Sequence, residues 1–168
     1  MPHIHDLYDF TASAYIIHSD HILLIHHKVF DSWVAPGGHV ELDEDPVQAM
    51  WRETEEETGL AKDQLRLIQA YGDSNDIPAT KGFYTLPLPF HMFVVDYNGK
   101  PGHKHIDFSY LLEAKSDKIK HAEREAHGIG WYSMDQVKAM HKEGTVSDAV
   151  LSRVSHAVVL AKAQAAAS

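Results

Sequence analysis

The sequence predicts a single mixed α/β domain, and three observations carry that prediction. Short apolar runs bounded by Gly, Pro, Asn or Asp recur along the chain, as strands do. Other stretches repeat their apolar positions at the spacing of a helix, and the two kinds of segment are interleaved rather than grouped. The length of 168 residues, with 44% of them hydrophobic, is that of one compact domain with its own core.

Thr11 to His18 is the first expected strand, with Ala14-Tyr15-Ile16-Ile17 as its body. Ser19-Asp20 turns the chain, and Ile22-Leu23-Leu24-Ile25 brings it back as a second strand. Pro36-Gly37-Gly38 breaks the pattern. A helix follows from Pro46 to Thr58, then a strand from Leu65 to Tyr71. Gly72 to Pro89, rich in Gly and Pro, reads as a long loop. His91 to Tyr97 and His105 to Ala114 are strands on either side of an Asn98-Gly99 turn, and Ile129 to Tyr132 is a short one. Ser133-Met134-Asp135-Gln136 has the form of a capping box for a helix ending at Gly144. Ser147 opens a last helix with an apolar stripe at Val150, Leu151, Val154, Val158 and Ala161, and the tail from Ala161 to Ser168 is expected to fray.

Composition narrows the function. The formal charge of −9 disfavours binding to nucleic-acid polymers. The absence of cysteine removes disulfides, thiolate metal sites and a cysteine nucleophile, and fits a cytoplasmic location. No apolar run has the length of a membrane helix, and the first residues lack the pattern of a secretory signal. Base rates alone suggest a homodimer.

The acids are not spread evenly. Between Gly38 and Leu60 stand Glu41, Asp43, Glu44, Asp45, Glu53, Glu55, Glu56 and Glu57, against the single strong base Arg52. Asp45 suits the N-cap of the helix, Pro46 its first turn and Gln48 the third position; Gly59 suits the left-handed residue that ends it. At about 100° per residue, Glu57 lies about 40° and Glu56 about 60° to either side of Glu53. Val47, Met50, Trp51, Thr54 and Thr58 form the neighbouring, apolar face. Three carboxylates at i, i+3 and i+4 repel one another, and two of them stand at the helix end where the macrodipole disfavours anions. A hard divalent cation, Mg²⁺ or Mn²⁺, reverses the sign of that cost. Arg52, four residues before Glu56, can hold its carboxylate.

Gly38, Glu44, Arg52-Glu53, Glu56-Glu57 and Gly59-Leu60 have the spacing of the Nudix box, and the chain therefore resembles the Nudix hydrolase superfamily, MutT-type. Thr54 stands where the family usually has an aliphatic residue. The stretch Trp33-Val34-Ala35-Pro36-Gly37-Gly38-His39-Val40-Glu41 is similar to the family's entry to the box, and Trp131-Tyr132-Ser133 to its exit, so the likeness covers residues 11 to 145. The resemblance implies the Nudix fold, an α/β/α sandwich around a mixed β-sheet. It also implies a metal-dependent hydrolase of the diphosphate linkage in a nucleoside diphosphate joined to another group. By the same resemblance, Glu53 and Glu57 are metal ligands, Glu56 a ligand or a holder of metal-bound water, and the Gly38 carbonyl a further ligand. Glu44 and Arg52 are structural, with Arg52 orienting the carboxylates. Glu125, six residues before Trp131, is the candidate for a later ligand, with Glu123 in reserve. Glu53 is the first choice for the base.

The residue types agree with that chemistry. A diphosphate is polyanionic, and an acidic pocket needs divalent ions to receive it and to activate water. Substrate class is read by elimination. Family members acting on ADP-ribose tend to carry a proline about fifteen residues past the box; Asn75 is there, and Pro78 comes late. The tyrosine of dinucleoside polyphosphate enzymes and the coenzyme A signature are missing, and Pro87-Leu88-Pro89-Phe90 lies too far downstream for the NADH-cleaving pattern. A nucleoside triphosphate or modified nucleotide remains the expected substrate. The alternatives are an ADP-sugar or dinucleotide pyrophosphatase, or a nucleotide sensor without turnover. Isoprenoid diphosphate isomerases share the fold but rely on a cysteine, which this chain lacks.

Two further groups stand out. His103, His105 and Asp107 alternate on one face of an expected strand; a transition-metal site is conceivable there, but a solvated face or a pocket wall is the favoured reading. Tyr15, Phe30, Trp33, Phe83 and Tyr84 are candidates to stack on a base, with the core as the default for Tyr15.

Overall fold

The computed structural model describes residues 5–69, 81–82, 84–97, 100–120 and 126–167. The strands are β1 (Tyr8–His18), β2 (His21–His27), β3 (Ser32–Val34), β4 (Gly37–His39), β5 (Leu65–Ile68), β6 (His91–Asp96), β7 (Lys104–Ala114) and β8 (Ala126–Ser133). The helices are α1 (Pro46–Thr58), α2 (Met134–Lys142) and α3 (Asp148–Ala167), with a turn of 3₁₀ helix at Lys62–Gln64. All eight strands join one mixed sheet, whose spine runs β3-β2-β1-β7-β5. No helix among the described residues is long and apolar enough to cross a membrane.

β1 is the hinge of the sheet. It runs parallel to β7 from Tyr8↔Lys104 to Ile17↔Glu113. Its other edge is shared: β4 pairs with Thr11 to Ser13, and β2 with Ile17 and His18. Alternation then separates two cores. Ala12, Ala14 and Ile16 of β1, with Leu23, Tyr110 and Leu112, pack against Ala49, Met50 and Leu60 of α1 and its C-terminal turn. Tyr15, Ile17, Ile22, Leu24 and Leu111 face the other way and are covered by Val137 of α2 and Val150, Val154 and Val158 of α3. The result is the expected sandwich, with α1 on one face of the sheet and α2 and α3 on the other.

Several boundaries differ from expectation. β1 begins at Tyr8, because β7 supplies a partner for Tyr8, Asp9 and Phe10 that local sequence does not reveal. Gly37 and Gly38, expected only as a break, lie in β4, where they pair with Ser13 and Ala12. The tail expected to fray is helical through Ala167 and is tied down where Gln164 Nε2 donates to the Gln69 carbonyl, 3.2 Å away. The Asn98-Gly99 turn and the Gly72–Pro89 loop up to residue 80, with Asn75 and Pro78, lie outside the described residues.

Candidate active site

α1 is built by its caps. Asp45 accepts from Val47 N–H and Gln48 N–H, and its own N–H donates to the Gln48 side-chain oxygen. Gly59 takes φ 70° and donates its N–H to the Glu55 carbonyl. A Cβ at Gly59 would stand 2.7 Å from the Lys120 Cβ, so both backbone shape and space call for glycine. Thr54, in the place of an aliphatic residue, turns its hydroxyl inward to the Met50 carbonyl at 2.7 Å, so the helix buries it without leaving its polar atom unmet.

Glu53 and Glu57 are 1% and 3% exposed, an unusual state for carboxylates, and both are aimed at β4. The Gly37 N–H donates to Glu57 Oε2 at 2.8 Å. The Glu53 carboxylate occupies the space that a side chain at Gly38 would take: a Cβ there would be 2.2 Å from Oε1. Gly37 is excluded from having a side chain by the sheet itself, since its Cβ would stand 2.4 Å from the Ala12 carbonyl oxygen. Two glycines thus bring backbone within reach of two buried acids. The spacing of the box singles out Gly38; Gly37, which meets Glu57, is signalled in the sequence only by the doubling of the glycine.

Arg52 gathers the surrounding acids. Its Nε and Nη2 donate to the two Glu44 oxygens at 3.1 and 2.6 Å. Nη1 donates to Glu53 Oε1 at 2.7 Å and to Glu56 Oε2 at 3.4 Å, and Nη2 also reaches the His39 carbonyl at 3.0 Å. The hydrogen bond to Glu44 and, beyond it, the hydrogen bond to Glu53 raise the Arg52 pKa, outweighing the opposing effect of its burial. Burial alone would raise the Glu44 carboxyl; the Arg52 hydrogen bond and the Glu41 N–H instead hold it below its ordinary value. Glu56 is half exposed at the rim of the group, with its carboxylate turned back to Arg52. Gly38, Arg52, Glu53, Glu56 and Glu57 are therefore brought together. Glu123 and Glu125 lie outside the described residues.

The donor set on α1 is one of hard oxygens: two buried carboxylates and a third at the rim. This set fits Mg²⁺ or Mn²⁺ and offers no soft ligand.

The face carrying His103, His105 and Asp107 is not solvated: all three side chains are buried. Nor do they form one group. Asp107 accepts from the hydroxyls of Thr11 at 3.0 Å and of Ser13 and Ser109 at 2.8 and 2.7 Å. Burial pushes its carboxyl up, against those three hydroxyls and the nearby Arg153. His105 turns instead toward Asp9 and His39. The aromatic candidates are likewise scattered. Tyr15 lies in the core against Phe90, Trp33 packs on Tyr132, Phe30 stacks on His27, and Tyr84 donates to Asp45. Phe83 lies outside the described residues.

Similarity to known proteins agrees with this geometry. The NUDIX domain family model matches residues 7–153. A probable DHNTP pyrophosphohydrolase of Lactococcus lactis subsp. cremoris is 33% identical over 114 residues, covering 67% of this chain; the chain spans 58% of that relative's length. A NUDIX family hydrolase of Clostridium perfringens has the same fold at a TM-score of 0.75 and 28% identity, covering 90% of this chain and 97% of its own. A C. elegans Ap4A hydrolase shares the fold at 18% identity and a TM-score of 0.63, over 95% of this chain and 99% of its own. With the box on its capped helix, the glycine strand beneath it and a family match over most of the sequence, the chain belongs to the NUDIX family.

Proposed function

We propose that the chain is a Mg²⁺- or Mn²⁺-dependent pyrophosphohydrolase acting on a nucleoside triphosphate or modified nucleotide. The observation that carries this reading is the convergence of buried Glu53 and Glu57 on the Gly37–Gly38 strand, with Arg52 fixing the first carboxylate and a backbone N–H the second. Buried acids of like charge destabilise a fold unless something they bind offsets the cost. The name of the Lactococcus relative supports the class of bond.

Glu53, Glu57 and the Gly38 carbonyl would hold the metal, with Glu56 at the solvent side holding its water. When bound, the ion neutralises phosphate charge and lowers the pKa of the attacking water. Glu53 accepts the proton of that water as its oxygen forms a bond to phosphorus. The bridging P–O bond breaks, and its electron pair leaves with the departing phosphate. A well-placed base of this kind contributes about 10²–10⁴ in rate. Arg52 does not touch substrate in this scheme. It keeps the Glu53 carboxylate at one orientation and, through the His39 carbonyl, keeps β4 in place against α1.

The test is a panel of nucleoside triphosphates, modified nucleotides, ADP-sugars and dinucleoside polyphosphates, with Mg²⁺ or Mn²⁺, comparing the chain with Glu57→Gln. The expected result is metal-dependent release of phosphate or pyrophosphate that nearly vanishes in the variant and after chelation. Tight nucleotide binding with no turnover by the unmodified chain would instead mean a sensor.

A further inference from the structure

On the sheet face opposite Gly38 and α1, three strands bring together a second set of donors. Asp9 on β1 is in register with His105 on β7, and Thr11, two residues on, is in register with His39 on β4. Alternation puts Asp9, His39 and His105 on the same side. Their ligand atoms all lie within 4.8 Å of one another. His103 stands outside that set but on the same carboxylate: its Nε2 is 3.2 Å from Asp9 Oδ2, and the His39 Nε2 is 3.5 Å from the same oxygen. Asp9 and His103 are 0% and 1% exposed, and the Nε2 atoms of all three histidines are buried.

The two contacts on Asp9 have the spacing of neighbouring ligands in a coordination shell. Zinc bound tetrahedrally to imidazole nitrogen and carboxylate oxygen at about 2.0–2.1 Å sets neighbouring ligand atoms about 3.3 Å apart. The two contacts to Asp9 Oδ2 bracket that value. The tautomer of His103 points the same way. Its Nδ1 is 3.1 Å from the Asp6 carbonyl oxygen, which only accepts, so Nδ1 carries the proton. With that proton alone on the ring, the Nε2 lone pair would face the Asp9 carboxylate. One metal ion at that point would be held by the lone pair and the carboxylate together, and by His39, which approaches the same oxygen. The outer Nδ1–H bond to a backbone carbonyl is how a metal-ligating histidine is usually oriented.

We propose that Asp9, His39, His103 and His105 form a buried three-nitrogen, one-oxygen site for a first-row transition metal of the zinc class, separate from the α1 carboxylates. Such a metal ties β1, β4 and β7 together beneath the strand that carries Gly37 and Gly38. Asp107, grouped with His103 and His105 from the sequence, is not part of it, because three hydroxyls hold its carboxylate. The site does not depend on the hydrolase reading, and it calls for a different metal chemistry.

Cobalt substitution separates the two. The double variant Glu53→Gln/Glu57→Gln removes the hard-oxygen ligands of α1 and is stripped with chelator, then titrated with Co²⁺. The expected result is about one equivalent bound, with the intense visible absorption of a tetrahedral nitrogen-rich site, displaced by Zn²⁺. Zn²⁺ should also raise the melting temperature by several degrees. His105→Asn and His39→Ala, made in the same background, should each lose the absorption. If either fails to fold, the spectrum of the parent double variant still decides. Only weak octahedral absorption in that parent, or a tetrahedral spectrum unchanged by His105→Asn, would overturn the proposal.

Discussion

Replacing Gly38 by alanine tests how tightly the strand and the helix are fitted. The added methyl would lie 2.2 Å from Glu53 Oε1, 2.4 Å from Cδ and 2.9 Å from Oε2. Relief requires the carboxylate to retreat by about 1 Å to ordinary van der Waals distance. The backbone of Gly38 is fixed by its pairing with Ala12, and the Glu53 oxygen is held by Arg52 at 2.7 Å. Overpacking of this kind costs about 1–3 kcal/mol. For a chain of this size that is a fall of roughly 2–12 °C in melting temperature. Catalysis should suffer more, since a misplacement of about 1 Å can cost about 10² in rate. The assay is a thermal melt by circular dichroism beside steady-state phosphate release with Mg²⁺. Adding Glu53→Asp to the alanine variant shortens the acid by one methylene, so it should recover most of the lost stability and none of the turnover. A Gly38→Ala protein that melts within about a degree of the parent and keeps its full kcat would refute the close fit between Gly38 and Glu53.

Other outcomes follow from the same contacts. Arg52→Lys keeps the charge but loses the fork that spans Glu44, Glu53 and the His39 carbonyl; it should cost about 2–4 kcal/mol in chemical denaturation and lower kcat rather than raise KM. The Glu44 carboxyl is held below its ordinary value of 4.5, so its stabilising effect is present above that pH and is lost as the pH falls further; Glu44→Gln should lower the stability plateau above that pH and remove this part of the acid-side fall, with no change of slope at alkaline pH. Burial raises the Tyr15 hydroxyl to about 12 despite the neighbouring Arg153, which donates to it at 2.7 Å. The unfolded chain therefore gives up this proton first, near pH 10, and stability should fall between pH 10 and about 12. Absorbance titration of tyrosinate should show a delayed group that Tyr15→Phe removes.

What could be read from the sequence was what is determined locally. Asp45, Pro46, Gln48 and Gly59 carry the start and stop of α1 in themselves, and the spacing of Glu53, Glu56 and Glu57 fixes their common side of the helix. Burial of Glu53 and Glu57 was not legible, because it depends on β4 lying across them with two residues that have no side chain. Strand β4 itself was read as a break, since three residues rich in glycine have no strand preference without β1 to pair with. The histidines show the same limit. His103 and His105 were visible as alternating residues, but their partner Asp9 is nearly a hundred positions away and is delivered by the parallel register of β1 and β7. Asp107 was grouped with them by proximity in the chain, and Thr11, Ser13 and Ser109 draw it elsewhere.

Ala12 and Ala14 of β1 and Ala49 of α1 are fully buried in the core between the sheet and the helix. Small side chains on both elements favour a close approach, and across it Glu57 accepts from the Gly37 N–H at 2.8 Å while Glu53 lies against Gly38. Enlarging either alanine would lift the helix like a wedge, and the first effect noticed would be at the carboxylates rather than in the core. Variation that leaves the protein folded can therefore still silence it, and the smallest side chains in this chain are among those least free to change.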